Sequence, residues 1–83
     1  MPRYYCHIRQ GKQLIQDPEG VDLPDLDAAQ VQAIQGIRDV LAEGVRRGDG
    51  DGLDDVLVIT DEAVQELLTI PFIEALPPRF RQP

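Results

Sequence analysis

Cys6 and His7 are the only cysteine and the only histidine of the chain, and they are its best candidates for nucleophilic or acid–base chemistry. They lie in a segment of alternating side-chain character, which is typical of a strand. Because successive side chains of a strand point to opposite faces, the two cannot form a nucleophile–base pair within one chain. We therefore expect Cys6 in the core, His7 on the surface, and no self-sufficient catalytic site.

Two acidic clusters raise the question of metal binding or acid–base catalysis. The first has four aspartates between positions 49 and 55, but an EF-hand loop counted from Asp49 would have Leu53 and Thr60 at its fifth and twelfth positions. The second lies between positions 17 and 27, where a turn accounts for Asp17 and a helix cap for Asp25. We predict solvated carboxylates, with no catalytic residue, no metal and no cofactor.

Composition places the chain among small acidic single-domain proteins. It has 83 residues and a formal net charge of −7, and a negative field repels phosphates, so nucleic-acid binding is disfavoured. The single cysteine excludes an internal disulfide and a zinc site built from several thiolates. Because we find neither a signal peptide nor an apolar run long enough to cross a bilayer, we predict a cytoplasmic protein without a membrane partner.

The amino-terminal part predicts a β-hairpin and a short third strand. Residues 3–9 alternate as a half-buried strand does. Its two faces carry Tyr4, Cys6 and Ile8, and Arg3, Tyr5, His7 and Arg9, respectively. Turn residues at 10–12 and a return strand at 13–16 complete the hairpin. An acidic glycine turn at 17–20 then leads to a short strand at 21–23.

One long helix is predicted at residues 26–47. Asp25 is a suitable N-cap, and Gly48 is a suitable residue to end the helix. Apolar residues recur at helical spacing through this segment. They are Ala33, Ile34, Ile37, Val40, Leu41 and Val45. Gly36 and Gly44 are costly inside a helix, and we expect them to let the helix lie close to a sheet.

The carboxyl-terminal part predicts a second hairpin after an acidic loop at residues 49–52. The β-branched run Val56–Thr60 is the clearest strand. A polar connection leads to a strand at 67–70 and a helical turn at 72–76. We therefore divide the chain into a single α+β domain at residues 1–76 and an extended or disordered Pro/Arg tail at residues 77–83.

These elements predict an α+β fold in which a small antiparallel sheet, formed by hairpins on either side of the helix, carries that helix on one face. The other face is then uncovered. A chain of this size buries only about 63% of its surface, so additional burial through self-association is expected to stabilise it. The predicted interaction surface is the uncovered side of the first strand, with Arg3, Tyr5, His7 and Arg9.

Four sequence blocks resemble a family of short bacterial proteins classified only as a domain of unknown function. They are residues 1–9, 17–25, 58–62 and 70–76, which include a D-x-E-G turn and an I-P-F-x-E-A-L end. The resemblance covers nearly the whole chain and implies a fold, but no activity. The chain departs from the family after Glu62, where a glycine usually makes a tight turn and Ala63 and Val64 stand here. This departure bears on the register of the second hairpin.

The amino-terminal half is also similar to HicB-type antitoxins, which combine an opening hairpin, an acidic glycine turn and a helix rich in small residues. Residues 17–20, 24–25 and 28–29 carry this weaker likeness. It implies an antitoxin-like or regulatory protein that binds a small basic partner through its acidic surface.

We therefore expect a small non-catalytic protein-interaction module that forms a homodimer. The alternative is the antitoxin-like protein with a basic partner. An enzyme would require a site shared across a dimer interface, for example His7 of one chain near a carboxylate of the other.

Overall fold

The computed structural model describes residues 1–48 and 52–77, and it confirms the α+β fold. Within these residues, five strands form one antiparallel sheet and a single long α-helix packs on it. The elements are β1 (Arg3–Gln10), β2 (Gln13–Ile15), β3 (Val21–Asp22), α1 (Leu26–Arg46), β4 (Val56–Thr60) and β5 (Glu66–Pro71), followed by a 3₁₀ turn at Phe72–Ala75.

The sheet order is β2-β1-β4-β5, and β3 pairs with the amino-terminal end of β1. Consecutive strands make the two hairpins, whereas the central pairing joins β1 to β4 and places Cys6 opposite Ile59. Strand β2 pairs with residues 8–10 of β1, and β3 pairs with residues 3–4. Strands β2 and β3 lie along the edge of β1 that β4 does not occupy. Neither of them pairs with residues 5–7, so a gap remains beside Cys6.

The core lies between α1 and one face of the sheet. Tyr4 belongs to it, and Cys6 and Ile8 pack against it, as the alternation of β1 predicts. The α1 residues of the core are Ala29, Ala33, Ile37 and Leu41, and the partners from the rest of the chain are Leu57, Ile59, Ile70, Phe72 and Ala75. Because two of the four helix residues are alanines, α1 can approach the sheet closely.

Both ends of α1 agree with the sequence prediction. The Asp25 carboxylate accepts a hydrogen bond from the Ala28 N–H at 2.8 Å, which satisfies one of the free N–H groups of the first turn. Gly48 has a φ of +74° directly after the C-cap residue Arg47, a backbone conformation that glycine adopts at little cost.

Three details of the helix prediction are wrong. Val45 is 76% exposed, because the neighbouring Gly44 occupies the core-facing position of that turn. A Cβ added at Gly36 would meet no atom within 4 Å, so this glycine is not needed for close packing. Val40 is likewise 47% exposed at the flank of the core.

Parts of three predictions lie outside the described residues. They concern most of the acidic loop at 49–52 and most of the tail at 77–83, together with any metal binding by Asp49 or Asp51. Among residues 1–48 and 52–77, no group of three or more His, Cys, Asp or Glu side chains is placed to hold a metal ion. No helix in the described part of the chain is long and apolar enough to cross a membrane.

Candidate functional site

The face of the sheet opposite α1, which we call the open face, carries the predicted interaction residues of β1. Tyr5, His7 and Arg9 line a shallow concavity of about 630 Å³ there, together with Val58 and Thr60 of β4. Arg3 does not line it, because its guanidinium pairs with the carboxylate of Asp22 at 2.9 Å on the neighbouring β3. Three of the four predicted residues therefore share one surface, and the fourth lies beside it.

His7 is held by hydrogen bonds at both ring nitrogens. The Asp17 N–H donates to Nδ1 at 3.0 Å, so this nitrogen carries no proton. The ring proton then lies on Nε2, which donates to the Thr60 hydroxyl at 2.9 Å. The Tyr5 ring stacks beside the imidazole, nearly parallel to it at a centroid distance of 6.3 Å. The imidazole is fixed in one tautomer and one orientation.

Asp17 fills the gap that β2 and β3 leave along the edge of β1. Its carboxylate accepts hydrogen bonds from the N–H groups of Cys6, Glu19 and Gly20, each at 3.2 Å. Partial burial acts to raise the pKa of Asp17, but the hydrogen bonds from the three N–H groups outweigh it, so the pKa lies below its ordinary value. Asp17 thus completes the hydrogen bonding of β1 and closes the 17–20 turn.

Cys6 lies on the opposite side of β1 from His7. The cysteine packs against the helix-side core. Its burial and, to a smaller extent, the negative charge of Asp17 raise the pKa of the thiol. A raised pKa reduces the thiolate fraction, which is the nucleophilic form. The structure therefore separates the two residues, as strand geometry predicts.

The centre of the open face is covered by polar side chains of the protein itself. Arg9 of β1 and Glu66 of β5 form an ion pair at 3.2 Å. Arg9 is opposite Val56 and Glu66 is opposite Thr60, so the pair crosses β4 diagonally over Val58. This ion pair and the side chains of Tyr5 and His7 cover Val58, which is only 2% exposed. Exposed apolar groups lie instead at the rim, where Leu14 is 46% and Val64 is 77% exposed.

The β4–β5 connection is a tight turn with Val64 in a left-handed conformation. The Val64 N–H donates to the Asp61 carbonyl at 3.0 Å, and the Asp61 N–H donates to the Gln65 carbonyl at 3.1 Å. The Asp61 carboxylate also accepts from the N–H groups of Ala63 and Gln65, both at 2.9 Å. Residues 62–64 therefore form a three-residue hairpin loop. Its third residue, Val64, has a φ of +63°, as this type of loop requires. The register then shifts between Ile59 and Thr60.

One family profile matches residues 3–73, that of Domain of unknown function (DUF6894). The chain belongs to the DUF6894 family. The match includes all five strands and α1, and therefore every residue of the open face. No curated protein and no solved structure matches the chain significantly.

The position of Val64 explains the glycine that the family resemblance predicts in this connection. Left-handed backbone disfavours all residues except glycine, and it disfavours β-branched residues most. Val64→Gly should therefore raise the free energy of unfolding by about 1 kcal/mol, after the entropy cost of a glycine is subtracted. Denaturant unfolding measures this change.

Ala63→Gly is the matched control, since Ala63 lies in the same turn without a positive φ. This substitution should lower the free energy of unfolding by about 0.5 kcal/mol. Equal effects of the two glycines would show that the backbone of Val64 is not strained.

Sequence reasoning missed several members of the open face. Thr60 and Glu66 reach it because of the β1–β4 and β4–β5 registers, which connect segments far apart in the chain. The alternation of Val56–Thr60 carried a partial signal, since it places Thr60 on the same face as Val58. Asp17 was assigned to its turn, but its bond to the Cys6 N–H depends on the packing of β2 and β3 around β1.

Proposed function

We propose that this DUF6894 protein is a small non-catalytic interaction module that binds protein through its open face and associates with itself. The observation that carries the proposal is the one-sided architecture. Helix α1 covers one face of the sheet, while the described residues place no second layer over the other. The open face keeps exposed apolar side chains at its rim, Leu14 and Val64, and such groups favour association.

The hydrogen bonds of His7 support a role in contact and not in catalysis. A general base needs a nitrogen that can reach a substrate proton. In His7, one nitrogen accepts from the Asp17 backbone and the other bonds to Thr60. Cys6 faces the core on the other side of β1. His7 is therefore held as part of the contact surface, and Cys6 belongs to the packing on the helix side.

The size of the open face predicts weak association. The four strands β2, β1, β4 and β5 have 3, 8, 5 and 6 residues, so at ~3.4 Å per residue and ~4.8 Å between strands they give a flat area on the order of 400 Å². Two such faces would bury roughly 800 Å² in total, which is the size of a weak, transient interface. We therefore expect a dimer whose population depends on concentration in the micromolar range or above.

The test is sedimentation of the full chain over a wide concentration range. The wild type should change from monomer to dimer, and Leu14→Lys should weaken dimerisation at least tenfold because it places a charge on the apolar rim. Val31→Lys is the matched control, since Val31 is 59% exposed on α1 and lies away from the open face. Equal effects of the two substitutions would contradict the assignment of the interface to this face.

A second candidate is an antitoxin-like or regulatory protein that binds a small basic protein. The net charge of −7 favours it, because an acidic surface attracts a basic partner and accelerates its association. A wild type that remains monomeric at all concentrations would exclude self-association and leave this candidate to be tested.

A further inference from the structure

The two ends of the open face carry opposite charges. The β1–β2 turn presents Lys12 at one end, and the β4–β5 turn presents Asp61 and Glu62 at the other. These turns lie at opposite ends because β1 and β4 are antiparallel. Each end also carries one exposed apolar side chain, Leu14 beside the basic turn and Val64 in the acidic turn.

Lys12 and Glu62 remain available for contacts with another molecule. Arg9 on this surface pairs with Glu66, and Arg3 beside it pairs with Asp22. The Asp17 carboxylate accepts three backbone hydrogen bonds. Neither Lys12 nor Glu62 forms an ion pair with the described residues, although the charge of Glu62 acts weakly on Arg3. Asp61 is engaged in the turn, where its carboxylate accepts two backbone hydrogen bonds.

We infer that a second copy of this chain binds the open face in the orientation that places the β1–β2 turn of each copy against the β4–β5 turn of the other. Two identical faces meet through a two-fold axis that lies in the plane between them. The β1–β2 turn lies on the β2 side of the sheet and the β4–β5 turn lies on the β5 side, so the two turns occupy diagonally opposite corners of the open face. An axis along this diagonal would bring like turns together, Lys12 against the partner's Lys12. An axis perpendicular to the diagonal, and therefore oblique to the strands, brings Lys12 to the partner's Glu62 and Leu14 to the partner's Val64. Charge complementarity selects the second arrangement.

The backbone strain at Val64 is an independent observation that agrees with this contact. A β-branched residue in left-handed conformation costs stability, and such strain is often retained where a side chain serves function. Here it holds an apolar side chain 77% exposed at the acidic end. In the dimer, this side chain packs on Leu14 of the partner subunit, and this contact occurs twice by symmetry.

The inference rests on the proposed self-association, and charge reversal tests it. Lys12→Glu places two acidic side chains against each other at both contacts, and Glu62→Lys does the same with two basic ones. Each variant alone should raise the dimer dissociation constant at least tenfold. The double variant Lys12→Glu/Glu62→Lys and an equimolar mixture of the single variants should both return to the wild-type value, because every contact again joins opposite charges.

The readout is sedimentation velocity, with one single variant fluorescently labelled at its amino terminus to detect the mixed dimer. Asp39→Lys and Arg46→Glu are the controls. They make the same changes of net charge on the exposed side of α1 and should leave the dissociation constant unchanged.

The outcomes separate the arrangement from the proposed function. A wild type that never dimerises overturns both. A wild-type dimer whose dissociation constant does not respond to the single reversals overturns the arrangement alone. A mixture that associates more tightly than the wild type indicates like ends in contact and also overturns it.

Discussion

Replacing Gly20 with alanine should lower the free energy of unfolding by about 2–5 kcal/mol. Gly20 has a φ of +70°, which costs about 1–2 kcal/mol with any Cβ present. An added Cβ would also lie 2.9 Å from the Tyr4 carbonyl oxygen and 2.8 Å from Cε2 of Tyr5. Since the carbonyl is backbone, relief requires movement of β1 or of the turn, for which overpacking values of ~1–3 kcal/mol apply.

Thermal unfolding measures the change, at about 4–8 °C for each kcal/mol in a domain of this size. Gly11→Ala is the matched control. Gly11 also has a positive φ, +62°, but an added Cβ would meet no atom within 4 Å. Gly11→Ala should lower the free energy of unfolding by only about 1 kcal/mol. Equal losses of stability in the two variants would show that the contacts of Gly20 with β1 are unimportant.

Gly20→Ala should also disturb the open face, because the glycine packs directly beneath Tyr5. Any displacement of the Tyr5 ring changes its stacking on His7, 6.3 Å away between centroids. We therefore expect weaker dimerisation in this variant even under conditions where it remains folded. Gly11 lies beside Lys12 in the β1–β2 turn of the same surface. The effect of Gly11→Ala on dimerisation is therefore the comparison for Gly20→Ala.

Replacing Asp17 with alanine should lower the free energy of unfolding by about 2–3 kcal/mol. The carboxylate is the acceptor for three backbone N–H groups, including the half-buried N–H of Cys6. Loss of an acceptor leaves such a donor unsatisfied, at ~1–3 kcal/mol. Asp22→Ala is the control, because its ion pair with Arg3 is exposed and exposed ion pairs contribute little to stability.

The Asp17 contribution should disappear in acid. Its folded pKa lies below the ordinary value of 3.8, so the unfolded chain takes up the proton first as the pH falls. The stabilisation by the charge is complete above about pH 5 and is lost as the pH falls from 3.8 through the folded pKa. Asp17→Asn should therefore be less stable than the wild type at pH 7, and this difference should shrink with acidification. A difference that is independent of pH would contradict the role of the charge.

Asp22, whose pKa is lowered chiefly by its hydrogen bond to Arg3, gives a dependence of the same sign. The wild-type profile therefore contains both groups. The comparison with Asp17→Asn removes the shared contribution and isolates that of Asp17.

Local sequence determined the elements and the faces of this protein. The alternation of β1 alone placed Cys6 in the core and His7 on the open face, because a strand has only two sides. Asp25 and Gly48 marked the ends of α1, since each satisfies a requirement of its own helix terminus. The turn at 17–20 followed in the same way from residue chemistry.

The tertiary structure decided which of these residues meet. The β1–β4 register, which brings His7 to Thr60, joins positions more than fifty residues apart, and no periodicity within either strand specifies such a pairing. The Asp17 carboxylate reaches Cys6 only because β2 and β3 stop short of each other along β1. Core burial of Gly44 in place of Val45 depends likewise on where α1 crosses the sheet. Periodicity fixes what a residue can face, whereas packing between distant segments fixes what it touches.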